Sequence, residues 1–196
     1  MTHEPADYVA DYRRRIAAAL TPDAPKRASR AQMAAVLVPV VEYEAAPRIL
    51  LTRRADHLDS HSGQVAFPGG KIEAGDASPE AAALREAHEE IGLDARFVEI
   101  AGFFEPHETG TGFCILPVVG FVRPGFTLRA NRNEVAEIFE VPLHLAVNPA
   151  SYQRHEVDWQ GRRRQYHAFE YEGFNIWGAT AAMLRGLGHK AFTETA

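Results

Sequence analysis

The stretch Leu84–Leu93, LREAHEEIGL, decides how the whole sequence is interpreted. At about 100° per residue, a helix through this stretch has one apolar side, formed by Leu84, Ala87 and Ile91. The other side carries three carboxylates, Glu86, Glu89 and Glu90. Residues three and four positions apart are neighbours on a helix, so these acids lie within reach of one point in space.

The residues around this stretch predict where the helix begins and what precedes it. Ser78 is a preferred N-cap residue, Pro79 suits the first helical position, and Gly92 follows the last turn. The turn-rich region 53–78 comes before the helix and contains Phe67–Lys71, FPGGK. Long loops are uncommon in compact domains unless they carry function, and paired glycines let the backbone approach a metal ion or a phosphate closely.

Three like charges on adjacent turns need something that compensates them. Each such pair weakens a helix by a few tenths of a kcal/mol, or about 0.2–0.5 kcal/mol. A divalent cation such as Mg²⁺ or Mn²⁺ would offset the repulsion, because it prefers oxygen ligands and keeps positions open for water and phosphate. Arg85, at the border of the acidic side, could hold a carboxylate by a bidentate pair. The glutamates alone also fit a solvated acidic surface without a ligand.

Residues 70–93 resemble the Nudix box, whose pattern is Gly, five residues, Glu, seven residues and then Arg-Glu-U-x-Glu-Glu-x-Gly-U, where U is apolar. The second half, Arg85–Leu93, matches throughout. The first half departs from the pattern, because Ala77 stands where the box has its first Glu and Asp76 lies one place earlier. We interpret this as one extra residue in the loop, with Asp76 as a candidate acidic partner.

The resemblance implies an α/β fold (α+β in some schemes) with a mixed β-sheet sandwiched between α-helices. It implies an enzyme that hydrolyses pyrophosphate bonds with Mg²⁺ or Mn²⁺, which would neutralise the diphosphate and help deprotonate a water. The implied metal ligands are three side chains and a backbone carbonyl, Glu86, Glu89, Glu90 and Gly70. Arg85 joins the glutamates in the implied catalytic set.

A further catalytic acid is expected downstream of the box. Many Nudix enzymes carry one in the region that here contains Glu134 and Glu137, and we favour Glu134. Either residue could instead be an exposed acid on an edge strand.

A second resemblance concerns the substrate. Residues 50–55, LLTRRA, followed by Gly63 and the Phe67–Gly70 segment, look like the motif of the coenzyme A pyrophosphatase branch of the family. That branch implies hydrolysis of coenzyme A or its thioesters to adenosine 3′,5′-bisphosphate and 4′-phosphopantetheine. The motif has an Arg where this sequence has Asp59, which puts coenzyme A itself in question. Candidate substrate contacts are two arginines and two loop residues, Arg53, Arg54, Gly69 and Lys71.

Two aromatic residues, Phe113 and Trp177, are candidates for stacking on adenine, although aromatic residues more often belong to a core. Two other functions stay open at this stage. One is a Nudix pyrophosphatase for ADP-ribose, NADH or a nucleoside triphosphate, and the other is a non-catalytic Nudix domain that senses a ligand. The retention of the box glutamates favours an enzyme.

Composition narrows the class of protein. The 196 residues are 46% hydrophobic and 24% charged, which is typical of one folded domain. The net charge of −5 argues against non-specific nucleic-acid binding, and the only partner we predict is a small nucleotide substrate. One cysteine, no apparent signal peptide and no long apolar run predict a cytoplasmic protein away from membranes; a homodimer is left open.

The resemblance implies a single Nudix domain over 1–196, in which we expect 1–30 to be an N-terminal helical arm and linker. The arm contains a helix over 7–20, which Pro22 and Pro25 end. Strands are expected over 34–41, 48–52, 97–104, 113–122, 135–141, 152–157 and 165–171, and a closing helix over 176–187.

Overall fold

A valine-rich strand, β1 (Gln32–Val41), lies at the centre of the fold. The computed structural model describes residues 11–25, 32–109, 112–159 and 162–193. Its helices are α1 (Tyr12–Ala19), α2 (Pro79–Ile91), α3 (Leu143–Ala146) and α4 (Gly178–Gly188). The other strands are β2 (Arg48–Arg54), β3 (Val65–Ala66), β4 (Gly69–Lys71), β5 (Val98–Phe103), β6 (His107–Glu108), β7 (Phe113–Val122), β8 (Val135–Pro142), β9 (Gln153–Trp159), β10 (Arg162–Tyr171) and β11 (Phe174–Trp177).

The main sheet is mixed. Strand β1 pairs with β7 in parallel and with β2 and β4 in antiparallel orientation, and β2 also pairs with β3 and β8. Strands β5 and β6 pair with β7, and β9, β10 and β11 form a separate antiparallel sheet. The predicted sheet between helices is thereby confirmed, with α2 on one face and α4 on the other.

Alternating residues of β1 supply two hydrophobic cores, as expected for a strand buried on both faces. Val36, Val38 and Val40 belong to the core that contains residues of α4. Ala35 and Leu37 belong to the core that contains residues of α2. Helices α2 and α4 therefore pack on opposite faces of the same strand.

The predicted signals at the ends of α2 are confirmed. The Ser78 hydroxyl accepts a hydrogen bond from the Ala81 amide at 3.2 Å, and Pro79 is the first helical residue. Gly92 ends the helix with a φ of 69°, a left-handed conformation that glycine adopts without steric cost. The direction of α2, and hence of its glutamates, is set by these local signals.

Other predicted boundaries need correction. The closing helix does not begin at Ile176, because Ile176 and Trp177 pair with β10 as part of β11. Phe97 lies in a short 3₁₀ turn, Ala95–Phe97, ahead of β5. Strands β9 and β10 extend to Trp159 and from Arg162, and the turn residues 160–161 lie outside the described part of the chain.

The described part of the N-terminal helix is Tyr12–Ala19, and the predicted residues 7–10 lie outside it. Ile16 is fully buried in the core on the α4 face. The Arg13 guanidinium bonds both Glu42 oxygens, at 2.8 and 2.7 Å, and Glu99 at 2.7 Å. The helix is thus attached to the sheet through both packing and charge. Among the described residues, no helix is long and apolar enough to cross a membrane.

Candidate active site

Three glutamates near the end of α2, Glu86, Glu89 and Glu90, lie in three different environments. Glu90 is buried, with 4% of its surface exposed, and the Gly69 amide donates a hydrogen bond to its Oε2 at 3.1 Å. Glu86 is half-buried, whereas Glu89 is exposed. Alanines at 82, 83 and 87 bring the helix close to the sheet and are themselves buried. The alternative of a solvated acidic surface is therefore wrong for Glu90, which is buried.

A buried carboxyl group holds its proton more tightly, because burial removes the water that stabilises the charged form. Burial raises the pKa of Glu90 to about 8, and the Gly69 amide works against this by favouring the ionised form. The nearby charges of Glu86 and Glu134 raise the pKa further, and Arg54 lowers it. Burial also raises the pKa of Glu86, against the opposing effect of Arg85. The site thus concentrates negative charge that the protein only partly compensates.

Arg85 connects the loop to the helix. Its Nε and Nη2 donate to the two oxygens of Asp76 at 2.9 and 3.0 Å, which is a bidentate pair. Its Nη1 lies 3.0 Å from both Glu86 Oε1 and Glu89 Oε2. The bonds from Arg85, followed by one from the Glu73 amide, hold the pKa of Asp76 at about 2. Asp76 is therefore the carboxylate partner of Arg85, as its place one residue before the expected Glu suggested.

Gly70 leaves the space that Glu86 occupies. A Cβ atom on Gly70 would lie 2.4 Å from Glu86 Oε1, closer than real Cβ contacts allow. Gly69 is equally enclosed, because a Cβ there would lie 2.5 Å from the Ala35 carbonyl oxygen. The FPGGK segment therefore brings backbone directly against the carboxylates, as its glycines predicted.

The two downstream acids separate clearly. Glu134 is electrostatically coupled to Glu86 and Glu90, and its Oε1 accepts a hydrogen bond from Asn131 Nδ2 at 3.0 Å. Glu137 instead accepts a hydrogen bond from Arg53 Nε at 2.8 Å. The geometry favours Glu134 as the additional acid of the site, in line with the preference from sequence.

Sequence reasoning missed Asn131. Its amide donates to the Glu90 carbonyl at 2.8 Å, while its side chain holds Glu134. The residue thereby joins the end of α2 to the segment that carries Glu134. An Asn three residues before an acid, in a turn, is a signal for such local side-chain bonding and could have identified it.

The two adjacent arginines have different surroundings. The charge of Arg54 acts on Glu90, and within the described residues the buried Nε of Arg54 has no hydrogen-bond partner. Arg53 is paired with Asp56 at 2.5 Å and with Glu137. Lys71 is exposed, with its Nζ 5.7 Å from the centre of the Phe113 ring. Of these three basic residues, Arg54 is the one whose charge lowers the pKa of Glu90.

The residues fit a hard divalent cation. Carboxylate and carbonyl oxygens are the donors that Mg²⁺ and Mn²⁺ prefer, and the uncompensated charge around Glu90 would be relieved by a cation. In the part of the chain that the structure describes, no three side chains of His, Cys, Asp or Glu already form a metal-binding group. Arg85 accounts for part of this, because it holds Glu86 and Glu89.

Comparison with known proteins gives the family. A family model described as the NUDIX domain matches residues 31–165, which is more than half of the chain. The chain belongs to the Nudix hydrolase family. Nudix enzymes generally use divalent metal ions and act on small nucleotide substrates, which agrees with the concentration of oxygen donors in the site.

Similar proteins support the same assignment. Nudix hydrolase NudL from Enterobacter sp. (strain 638) is 43% identical over 80% of this chain and 81% of the relative. NudL from Salmonella dublin is 42% identical over 86% and 87%. Both carry the name of an uncharacterized Nudix hydrolase, so they show the family and not the substrate. The crystal structure of DR0079 from Deinococcus radiodurans has a TM-score of 0.52 at 15% identity, covers 83% of this chain and 88% of that one, and shows the fold alone.

Proposed function

We propose that this Nudix enzyme hydrolyses the diphosphate of coenzyme A or its thioesters, giving adenosine 3′,5′-bisphosphate and 4′-phosphopantetheine, with Mg²⁺ or Mn²⁺ as cofactor. The substrate is supported by the resemblance of residues 50–55 and 67–70 to the motif of that branch. The observation that carries the chemistry is the burial of Glu90 beside Glu86 and Glu134.

The proposed roles follow from the surroundings of each residue. Glu86, Glu89, Glu90 and the Gly70 carbonyl would hold the metal, which when bound neutralises the diphosphate and lowers the pKa of a water. Arg54, whose Nε has no partner in the part of the chain that the structure describes, binds a phosphate oxygen. Glu134, held by Asn131, accepts the proton of the attacking water. Arg85 keeps Glu86 and Glu89 in place through Asp76.

The contacts of the diphosphate extend along the loop. The Gly69 amide lies beside Glu90, and the exposed Lys71 follows it in the same segment. Both residues would orient the substrate, together with Arg53. These contacts reach only the diphosphate and not the groups attached to it, so they would serve any nucleoside diphosphate derivative. Specificity for coenzyme A must come from residues further out, and Asp59 is an exposed candidate.

The substitution Glu90→Gln tests the chemistry. Loss of one charged ligand should lower kcat by roughly 10²-fold or more, because the group acts mainly on the transition state. Glu80→Gln makes the same chemical change on the same helix outside the site and serves as the control. Equal kcat values for wild type and Glu90→Gln would refute the role.

A substrate panel tests the specificity. The wild type should turn over coenzyme A with a higher kcat/KM than ADP-ribose, NADH and nucleoside triphosphates, assayed with Mg²⁺ or Mn²⁺. Asp59→Arg restores the cation of the motif and should lower the KM for coenzyme A more than that for its 3′-dephospho form. A higher kcat/KM for ADP-ribose would remove coenzyme A as the substrate and leave the metal site intact.

A further inference from the structure

A cleft with a volume of about 380 Å³ lies at the end of β2, away from the carboxylates of α2. It is lined by residues of three segments, among them Arg53, Gln64, Val65, Phe174, Asn175 and Trp177. Pockets that bind small molecules usually measure about 300–1,000 Å³ and combine an apolar wall with a few polar groups. This cleft has the size and the mixed lining of such a site.

Trp177 is unusual for a residue of its size. Its surface is 40% exposed, although large aromatic side chains normally bury most of their area. The residue ends β11, and the positive φ of 66° at Gly178 turns the chain into α4 directly after it. The Tyr166 ring meets the indole in an edge arrangement at a centroid distance of 5.9 Å. The indole is thus held in place by a neighbour while part of it faces the cleft.

The end of β2 lies between the cleft and the catalytic acids. The Arg54 amide donates to the Gln64 carbonyl at 2.9 Å on one side, and the Ala55 amide donates to the Glu134 carbonyl at 2.9 Å on the other. Two strand spacings separate Gln64 from Glu134, which is roughly 10 Å. The cleft lies on the α4 face, because its lining residue Val65 belongs to that core and Phe174 packs against it. A nucleoside diphosphate whose phosphates lie at Arg54 would therefore pass the end of β2 to place its nucleoside in the cleft.

We propose that this cleft binds the nucleobase of the substrate, with the base stacked on Trp177. The inference rests on the proposed function and adds the position of the base. A planar base matches an indole surface, and stacking of this kind contributes strongly to binding for any base. The side-chain amides of Gln64 and Asn175 can form hydrogen bonds to the edge of the base. A flexible pantetheine arm is a poorer fit, because it would lose more conformational freedom on binding.

Fluorescence tests the proposal without hydrolysis. The variant Trp159→Phe leaves Trp177 as the single tryptophan, since the sequence contains two. In a chelator, adenosine monophosphate should quench this fluorescence saturably, whereas 4′-phosphopantetheine should not. Quenching by 4′-phosphopantetheine alone, or by neither compound, overturns the proposal.

Kinetics give the second arm of the test. Trp177→Ala should raise the KM for coenzyme A by roughly tenfold while changing kcat by less than threefold. Trp177→Phe should have an intermediate KM, because a phenyl ring still stacks on the base. Tyr43→Ala removes another exposed aromatic residue outside the cleft and should leave KM unchanged. An unchanged KM in both Trp177 variants overturns the proposal. Absence of hydrolysis by the wild type would refute the proposed function alone, because the fluorescence arm does not depend on turnover.

Discussion

Each face of the central sheet buries a polar side chain, and the two side chains differ in their hydrogen bonds and in the charges around them. On the α4 face, the buried Thr180 hydroxyl donates a hydrogen bond to the Val65 carbonyl at 3.0 Å. On the α2 face, the buried Glu90 carboxylate accepts one hydrogen bond from a backbone amide and lies near two further acids. The hydroxyl on the α4 face is therefore satisfied within the chain, whereas the carboxyl on the α2 face ionises readily only when a cation from outside the chain compensates its charge.

The size of the packed residues differs in the same way. Helix α4 contributes large side chains, Met183, Leu184 and Leu187, to its core. Helix α2 contributes alanines, which allow a close approach to β1 and to the glycines of β4. The large side chains of α4 fill its core, whereas the small residues of α2 leave room for carboxylates next to the backbone.

The largest expected effect breaks the α4 face. Leu184→Ala removes a fully buried side chain from that core and should lower the free energy of unfolding by about 2–5 kcal/mol. The kcat of the molecules that stay folded should be close to that of the wild type, because Leu184 lies on the opposite face from the glutamates. Urea denaturation and activity assays measure the two quantities. A fall in kcat as large as that for Glu90→Gln would show that the faces are not separate.

The next effect breaks the α2 face. Gly70→Ala places a Cβ atom 2.4 Å from Glu86 Oε1, so Glu86 must move and kcat should fall by roughly 10²-fold. The midpoint of thermal unfolding should change by only about 4 °C. Gly75→Ala is the matched control, because a Cβ there meets nothing within 4 Å. A Gly70→Ala enzyme as active as the control would contradict the tight fit of Glu86 against the loop.

The smallest expected effect is a dependence of stability on pH, which comes from Glu90 on the α2 face. In the folded, metal-free protein the pKa of Glu90 is about 8, against about 4.3 for an unfolded chain. The folded state thus holds this proton more tightly, so the stability linked to it is complete below about pH 4. It is lost as the pH rises towards 8, the pKa of the folded protein.

Glu90→Gln cannot ionise and should be more stable than the wild type at pH 8, by at least about 1 kcal/mol. Denaturation in a chelator at pH 5 to 9 measures the difference between the two proteins. The difference should shrink towards pH 5, because Glu90 is protonated in the folded wild type at that pH. Parallel stability curves over the whole range would contradict a buried, weakly compensated Glu90.

Local signals predicted much of the structure. The caps at Ser78 and Gly92, the glycines of the FPGGK segment and the valines of β1 each act through neighbouring residues, so the sequence is enough to place them. The pairing of Arg85 with a carboxylate was also predicted, because its fork suits a bidentate contact.

Contacts between distant segments were harder to predict. Ile176 and Trp177 have a helical pattern locally, but their pairing with β10 makes them a strand. The burial of Glu90 depends on the loop at Gly69, which a helical projection does not contain. A signal was present, because Glu90 follows the buried Ala83 by seven residues, which is close to two full turns.

We propose that the carboxylates of α2 hold a divalent cation against the diphosphate. The most direct test of this proposal is to treat the enzyme with a chelator and then to add Mn²⁺ while hydrolysis of coenzyme A is followed. Hydrolysis should stop in the chelator and return saturably with Mn²⁺ in the wild type, and Glu90→Gln should need more Mn²⁺ and recover little activity. Undiminished hydrolysis in the chelator, or full recovery of Glu90→Gln at the same Mn²⁺ concentration, would contradict the claim.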